Sequence, residues 1–230
     1  MSLAPNYWPE LAADYDRAGL QAFGRQLDRD AICLAMSVAE HETNNGRAWP
    51  GTNNFGAVQL RTLTVQEVTA FQAGTLKAGD YTPNRDGVLH VDTHPTPSGP
   101  QPYPVWFAAF DSRVNGIAFF LKKLWSLSDA VAESQGCTAN ELALRMYLHY
   151  YFEGAHPGAR GWGKRSVPLT PPEAANVSDY AAAITRCLTT ITSALGGWET
   201  AQQPTVNDPE AVTAVDVVTT AGQPDEPHTA

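Results

Sequence analysis

The sequence predicts an α+β protein that is mainly α-helical, with a small β-hairpin lobe and a separate C-terminal tail. Several stretches place apolar residues three and four positions apart, which is the spacing of one face of a helix. The segment 74–104 is instead rich in Gly and Pro and contains a short alternating run, which favours strands and turns. Apolar periodicity stops after residue 198, so the tail is not expected to join the core.

The helices are predicted from this spacing and from their capping residues. Asp30 is a good N-cap for the second helix, because its side-chain oxygen can accept an otherwise unpaired backbone N–H. Thr64 and Glu67 have the spacing of a capping box at the start of the third helix. The predicted helices span residues 10–27, 31–43, 64–73, 113–127, 138–152 and either 171–195 or 178–195.

The hairpin is predicted from two runs joined by a proline-rich turn. The first run, 88–94, alternates between apolar and polar residues, and the second, 103–110, reads as the returning strand. We therefore expect a small β-lobe beside the helical body. The apolar side of the first run carries Leu89 and Val91, and its polar side carries His90, Asp92 and His94.

The composition and charge of the chain predict its domain limits and disfavour one class of partner. With 230 residues and 43% hydrophobic composition, the chain can form one sizeable core, which we place at residues 5–198. Residues 199–230 contain six acidic residues, no Lys or Arg and no aromatic residue, which predicts an acidic disordered tail. The net charge of −9 disfavours nucleic acid as a partner, because no basic stripe is present to meet phosphates.

Targeting and redox signals are weak. No apolar run approaches the roughly 20 residues of a membrane span, and the N-terminus lacks the pattern of a secretory signal. We therefore expect no membrane span and synthesis in the cytoplasm. Cys33, Cys137 and Cys187 are odd in number and form no C-x-x-C pair, so buried free thiols are expected rather than a disulfide framework.

Two carboxylates, Glu40 and Glu42, follow the apolar stripe of the second helix, and a polar segment ending at Gly46 comes next. A carboxyl group at the end of a buried helix can be desolvated and still reach a substrate in the adjoining loop. Desolvation raises a carboxyl pKa, and a general acid needs a raised pKa near neutral pH. Residues two apart point about 200° apart on a helix, so the two are not expected to act as a close pair. The alternative is that both cover a solvated helix end.

Three short motifs follow one another between Glu42 and Leu60. The residues E-T-N-N-G at 42–46 resemble the E-[ST]-x-x-G element that ends the catalytic helix in the lysozyme-like superfamily of peptidoglycan-cleaving enzymes. T-N-N-F-G at 52–56 is similar to the N-N-x-F-G element of autolysin and flagellar-type N-acetylglucosaminidases, and G-A-V-Q-L at 56–60 resembles the G-L-M-Q-L element of lytic transglycosylases. The resemblance implies that Glu42 is the catalytic acid, because only Glu42 has Gly four residues later.

A second carboxylate is harder to place. In the glucosaminidases that this chain resembles, a hairpin acid, usually Glu, faces the catalytic helix across the groove. The matching region offers Asp92 as base or electrostatic partner, with Asp86 and Asp80 as rivals. A transglycosylase reaction needs no second carboxylate, because the 6-hydroxyl of the substrate closes an anhydro ring. That outcome therefore stays open, as does a structural role for Asp92.

Substrate contacts are also implied by the resemblance. Amide side chains can bind an N-acetyl group, and aromatic rings can line a sugar groove. For each of these residues the alternative is a place in a turn or in the core. The candidate substrate-binding residues are Asn54, Phe55, Gln59, Tyr151 and Tyr180.

The polar side of the first strand run carries groups that can bind a metal. Imidazole and carboxylate groups suit zinc, but alternate residues of a strand lie about 7 Å apart and overshoot a single ion. We therefore predict no metal and no cofactor. A metal-dependent amidase or peptidase stays as a minor alternative, resting on His90, Asp92 and His94.

These observations predict a glycoside hydrolase that cleaves the β-1,4 bonds between N-acetylmuramic acid and N-acetylglucosamine in peptidoglycan, with Glu42 as general acid. The alternatives are a lytic transglycosylase with the same acid and a non-catalytic glycan-binding or structural module. Because no secretory signal is apparent, delivery to the wall is expected through a holin, a virion or a secretion machine. The C-terminal tail is a candidate contact for a phage, virion or injection-machinery partner.

Overall fold

The computed structural model describes residues 6–96, 99–126, 138–152, 154–160 and 164–196. In this part of the chain it contains six helices and one antiparallel sheet of three strands, and about 52% is helical, so the predicted mainly helical α+β class is confirmed. The predicted tail, residues 199–230, lies outside the described residues. In chain order the elements are α1 Tyr7–Phe23, α2 Arg29–Thr43, β1 Gln59–Thr62, α3 Val65–Gln72, β2 Gly87–Thr96, β3 Gly99–Ala108, α4 Arg113–Ser126, α5 Ala139–Leu148 and α6 Pro171–Ala194.

The helical body is built around α2. Residues Ile32 to Ala39 are buried at every position, because α2 packs against α6 and also contacts α1. The α1 helix packs along α4, and α5 packs against α6. Cys33 is buried and free as predicted, Cys187 is free but only half-buried, and Cys137 lies outside the described residues.

Three predicted helix limits are wrong for local reasons. The first helix ends at Phe23, not at residue 27, because Gly24 adopts φ 68° and donates its N–H to the Leu20 carbonyl. The N-cap of α2 is Asp28, not Asp30: its carboxylate accepts the Ala31 N–H at 2.7 Å. The α5 helix stops at Leu148, four residues before the predicted end, and Tyr150 then adopts φ 63°.

The hairpin is confirmed as β2 and β3, and β1 is an addition that the sequence did not indicate. The sheet order is β1-β3-β2, with both neighbours antiparallel to the central β3. The predicted alternation along β2 is confirmed by its unbroken register, but both faces of the sheet are partly covered. Val88 is buried with Phe107 on the face that carries His90, while Leu89 is buried on the other face.

One short segment joins the sheet to the helical body. Residues 53–56, which we call the central bend, pass directly over α4. A Cβ on Gly116 would lie 1.9 Å from the Asn53 carbonyl oxygen, so the helix has to carry glycine where this bend crosses it. The Asn53 amide donates to the Phe110 carbonyl at 2.9 Å, which fixes the bend to the start of α4 as well.

Candidate active site

The end of α2 is held in place by one hydroxyl group. The Thr43 hydroxyl contacts the Ala39 and Phe55 carbonyl oxygens, each at 3.0 Å, and accepts the Gly46 N–H at 2.9 Å. Asn44, Asn45 and Gly46 all have positive φ, so the chain reverses sharply after the helix. The E-T-x-x-G pattern therefore has a local physical basis, because its threonine and glycine fix the residue that precedes them.

Glu42, the predicted acid, is half-buried beside α6. The Tyr180 hydroxyl donates to Glu42 Oε1 at 2.5 Å. Burial raises the pKa of Glu42 above its ordinary value, while the Tyr180 hydrogen bond and the charges of His41 and Lys123 act in the opposite direction. Desolvation is the largest of these effects, so the protonated form is favoured more than in an exposed glutamate.

Tyr180 is fixed by its own neighbours. Its side chain is buried, and its ring stacks on Phe152 with 4.0 Å between centroids and 6° between planes. The His41 ring meets its edge at 5.0 Å. Burial and the nearby Glu42 carboxylate raise the pKa of Tyr180 well above its ordinary value, so its hydroxyl remains a donor. A cavity of about 220 Å³ opens beside this cluster and is lined partly by His41, Phe152 and Tyr180.

Tyr151 reaches the same region from the segment that follows α5. Its hydroxyl donates to the Gly56 carbonyl oxygen at 3.2 Å. Gly56 permits this approach, since a Cβ there would lie 3.2 Å from the Tyr151 hydroxyl and 2.4 Å from Phe120. Burial, followed by the charge of Glu42, raises the pKa of Tyr151 well above its ordinary value. The structure thus brings three of the predicted site residues together: Glu42, Tyr151 and Tyr180.

Asn54 and Phe55 point into the protein. Asn54 has no exposed surface, and its amide donates to the Val58 and Ala108 carbonyls and accepts the Val58 N–H. Phe55 is 2% exposed and packs edge-on against Tyr15, with 6.2 Å between ring centroids. In this conformation both stabilise the central bend instead of presenting a surface to a sugar.

The remaining candidates lie on the β-lobe. Gln59 is exposed on β1, opposite Phe107. Asp92 is exposed on β2, opposite Tyr103 of the central strand. Of its rivals, Asp80 accepts the Lys77 N–H and Asp86 accepts from Thr82 and Asn84, so both stabilise turns.

The metal alternative depends on His90, Asp92 and His94 of β2. Within the described ranges, no three His, Cys, Asp or Glu side chains are grouped to hold an ion. His90 instead packs edge-on against Trp49 and Phe107, with centroids 5.2 and 5.0 Å away, and the side chain of His94 lies outside the described residues.

The neighbouring Glu40 has a separate structural function. Its carboxylate accepts from the Arg47 guanidinium at 2.7 and 3.0 Å and from the Asn45 amide at 2.8 Å. Arg47 also donates to the Tyr7 hydroxyl. This network ties α1 to the turn after α2, and it leaves Glu42 as the carboxyl at the end of α2 that contacts α6.

Lys123 is a residue near the site that sequence reasoning missed. It is half-buried on α4, and its Nζ lies 5.8 Å from the centre of the Tyr151 ring. Burial lowers the pKa of Lys123, and the Glu42 carboxylate opposes that effect. The sequence feature that could have indicated Lys123 is its position between Phe120 and Leu124 on the buried face of a predicted helix.

Comparisons with known proteins do not place this chain in a family: no family model, no curated protein sequence and no solved structure matches it. Among the described helices, none combines the length and the apolar character needed to cross a bilayer. A carboxyl group with a raised pKa, held by a tyrosine beside a cavity, has the properties of a proton donor.

Proposed function

We propose that this protein cleaves the β-1,4-linked glycan strands of peptidoglycan, with Glu42 as general acid. In this reaction the Glu42 carboxyl gives its proton to the glycosidic oxygen, so that the leaving sugar departs as an alcohol and not as a strongly basic alkoxide. A lysozyme-like domain at residues 5–198 would be the catalytic unit. Its substrate is the bond between N-acetylmuramic acid and N-acetylglucosamine.

The observation that carries the proposal is the environment of Glu42. The carboxyl is half-buried, has a raised pKa and receives a 2.5 Å hydrogen bond from Tyr180. A glutamate that merely covers a helix end has no need of such a partner. The resemblance of residues 42–60 to the lysozyme-like superfamily also implies Glu42 as the catalytic acid, which supports the same role.

Hydrolysis is preferred over transglycosylation because the motif at 52–56 resembles the glucosaminidase element. In a hydrolase, water attacks the sugar carbon, and Asp92 on β2 is the candidate to activate that water or to stabilise the positive charge. A lytic transglycosylase with the same acid is the alternative, and it leaves Asp92 without a chemical function. The products distinguish the two, since hydrolysis creates reducing ends and transglycosylation creates 1,6-anhydro ends.

A non-catalytic glycan-binding or structural module is the second candidate function. It is favoured by the inward orientation of Asn54 and Phe55, which gives the central bend a structural reason to have this sequence. In that case Glu42 and Tyr180 are a buried hydrogen-bonded pair that joins α2 to α6 and takes part in no reaction.

Glu42→Gln separates the two candidates, because glutamine keeps the size of the side chain and an acceptor for Tyr180 but cannot give up a proton in the same way. We expect at least about a hundredfold loss of activity on purified cell walls, with wall binding retained. Glu10→Gln, the same change at an exposed position of α1, is the matched control and is expected to stay fully active. No clearing by the wild type would favour the binding module, and equal clearing by wild type and Glu42→Gln would show that Glu42 is not the acid.

A further inference from the structure

Lys123 occupies an unusual position on α4. It lies three residues after Phe120, whose ring is the nearest group that a Cβ on Gly56 would meet, and it immediately precedes the buried Leu124. Side chains three residues apart lie on the same helix face, so Lys123 extends along the surface that packs against the central bend. A half-buried ammonium is costly unless the surroundings compensate it.

Two helices bring charged groups to the same end of the central bend. From α4, Lys123 Nζ lies 5.8 Å from the Tyr151 ring centre, and the Tyr151 hydroxyl is bonded to the Gly56 carbonyl. From α2, the Thr43 hydroxyl contacts the Phe55 carbonyl, so the residue that follows Glu42 is bonded to the same stretch of backbone. Glu42 and Lys123 thus approach one short piece of chain from α2 and α4, and the charge of each acts on the other.

The other titratable groups around Glu42 differ from Lys123 in kind. His41 is exposed on α2 itself. Tyr180 on α6 and Tyr151 after α5 are neutral donors whose pKa values burial raises well above their ordinary range. Two basic side chains among the described residues thus act on the Glu42 carboxyl. Lys123 is half-buried, whereas the neighbouring His41 is exposed.

We propose that Lys123 is a positioning residue for the acid, and that its ammonium stabilises the Glu42 carboxylate left behind when the proton moves to the glycosidic oxygen. This inference rests on the proposed function. The proton passes from the Glu42 hydroxyl to the glycosidic oxygen, the carbon–oxygen bond breaks with its electron pair on that oxygen, and Lys123 stays protonated throughout. Its contribution is a charge that favours the ionised state of Glu42 in a partly desolvated place.

The effect of Lys123 on the pKa of Glu42 has the direction that this function requires. The ammonium lowers the pKa of Glu42 against the larger effect of burial, and the carboxylate in turn raises the pKa of Lys123 against its own burial. Without Lys123, Glu42 would hold its proton to higher pH and give it up less readily. The pair thus keeps a buried acid able to release its proton.

The test is the titration of Glu42 in full-length Lys123→Met, followed by NMR of the 13C-labelled side-chain carboxyl and, in parallel, by the pH profile of cell-wall cleavage. We expect the carboxyl titration and the alkaline limb of the profile to move to higher pH. Lys123→Arg, which keeps the charge, is expected to restore both to wild-type positions. Lys122→Met removes a charge from the exposed neighbouring position and is expected to move neither.

The results of these measurements separate failure of the Lys123 inference from failure of the proposed function. An unchanged titration in Lys123→Met, or an equal shift in Lys122→Met, overturns the inference. If the wild type cleaves nothing, the proposed function has failed, and the NMR titration still decides whether Lys123 and Glu42 are coupled. If circular dichroism shows that Lys123→Met is unfolded, Lys123→Gln, which is polar and neutral, is titrated in its place with the same expectations.

Discussion

At the residue scale, the environment of Glu42 results from competition between burial and hydrogen bonding. Burial disfavours the carboxylate, and the Tyr180 hydroxyl stabilises it. The raised pKa shows that burial has the larger effect. The position at the end of an apolar helix pointed to both Glu40 and Glu42, and the resemblance of residues 42–46 singled out Glu42. Lys123 was not found, because one lysine in an apolar stripe carries no information about which helix it will face.

Removing the hydroxyl of Tyr180 should shift the pH dependence of cleavage. A general acid works while it is protonated, so activity falls as the pH rises through the pKa of Glu42. Tyr180→Phe removes a hydrogen bond that lowers this pKa, and we expect the alkaline limb to move to higher pH. Tyr81→Phe, which alters a tyrosine on the β-lobe, is the control for loss of a phenol and should leave the limb in place. A limb that moves to lower pH in Tyr180→Phe would contradict the assignment.

Glu42 should also affect stability in a pH-dependent way. Because its folded-state pKa is raised above the unfolded value, its contribution to stability is fully present below the unfolded pKa and is lost as the pH rises through the folded pKa. Glutamine does not ionise, so Glu42→Gln should not show this loss. We expect the difference in Tm between Glu42→Gln and wild type to increase in favour of the variant from mildly acidic to alkaline pH, as measured by thermal unfolding. A difference that stays constant with pH would show that Glu42 titrates normally.

At the element scale, the ends of the helices were the hardest features to predict. Asp28 and Asp30 are both able to cap α2, and the chain uses Asp28, which accepts the Ala31 N–H. The capping box of Thr64 and Glu67 was predicted from the sequence and is present, and Thr138 forms an equivalent box with Glu141. The strand β1 was missed because its four residues are all exposed and carry no alternation.

The start of α6 matters because this helix carries Tyr180. The Glu173 carboxylate accepts from the Thr170 N–H at 2.7 Å and from the Arg160 guanidinium at 2.7–3.1 Å. The hydrogen bonds from Arg160, followed by those from Thr170, lower the pKa of Glu173 to about 2. The α6 helix is thereby fixed at the end nearer to Tyr180, and the loop before it is attached to the same point.

Replacing Glu173 should therefore alter acid stability. Its depressed pKa contributes stability that is present above the unfolded pKa and is lost as the pH falls from the ordinary value of 4.5 towards about 2. Glu173→Gln should lower the Tm at neutral pH and show a smaller further loss across this acidic window. Glu141→Gln alters the equivalent box of α5, where the hydrogen bonds from Thr138 are the largest effects that lower the pKa of the glutamate, and should have a smaller effect. Equal effects of the two changes would show that Arg160 is unimportant.

At the scale of the whole molecule, the sequence predicted the class and the hairpin but not how the two parts join. The composition of 74–104 was sufficient to separate the lobe from the helices. The joining segment depends on glycines at positions 56 and 116, and the reason for each lies far away in sequence, at Tyr151 and at Asn53. Asn54 and Phe55 were predicted from the resemblance to contact sugar, and the sequence could not show that they face inward, because a polar, aromatic bend has the same composition whether it faces a ligand or the interior.

The central claim is that Glu42 protonates a glycosidic bond of peptidoglycan. The most direct measurement is mass spectrometry of the fragments that full-length protein releases from purified peptidoglycan, compared with those released by Glu42→Gln. The account predicts disaccharide-containing fragments with new reducing ends from the wild type and at least about a hundredfold fewer from the variant. New free amino groups without new glycan ends, or fragment release that is unchanged in Glu42→Gln, would contradict it.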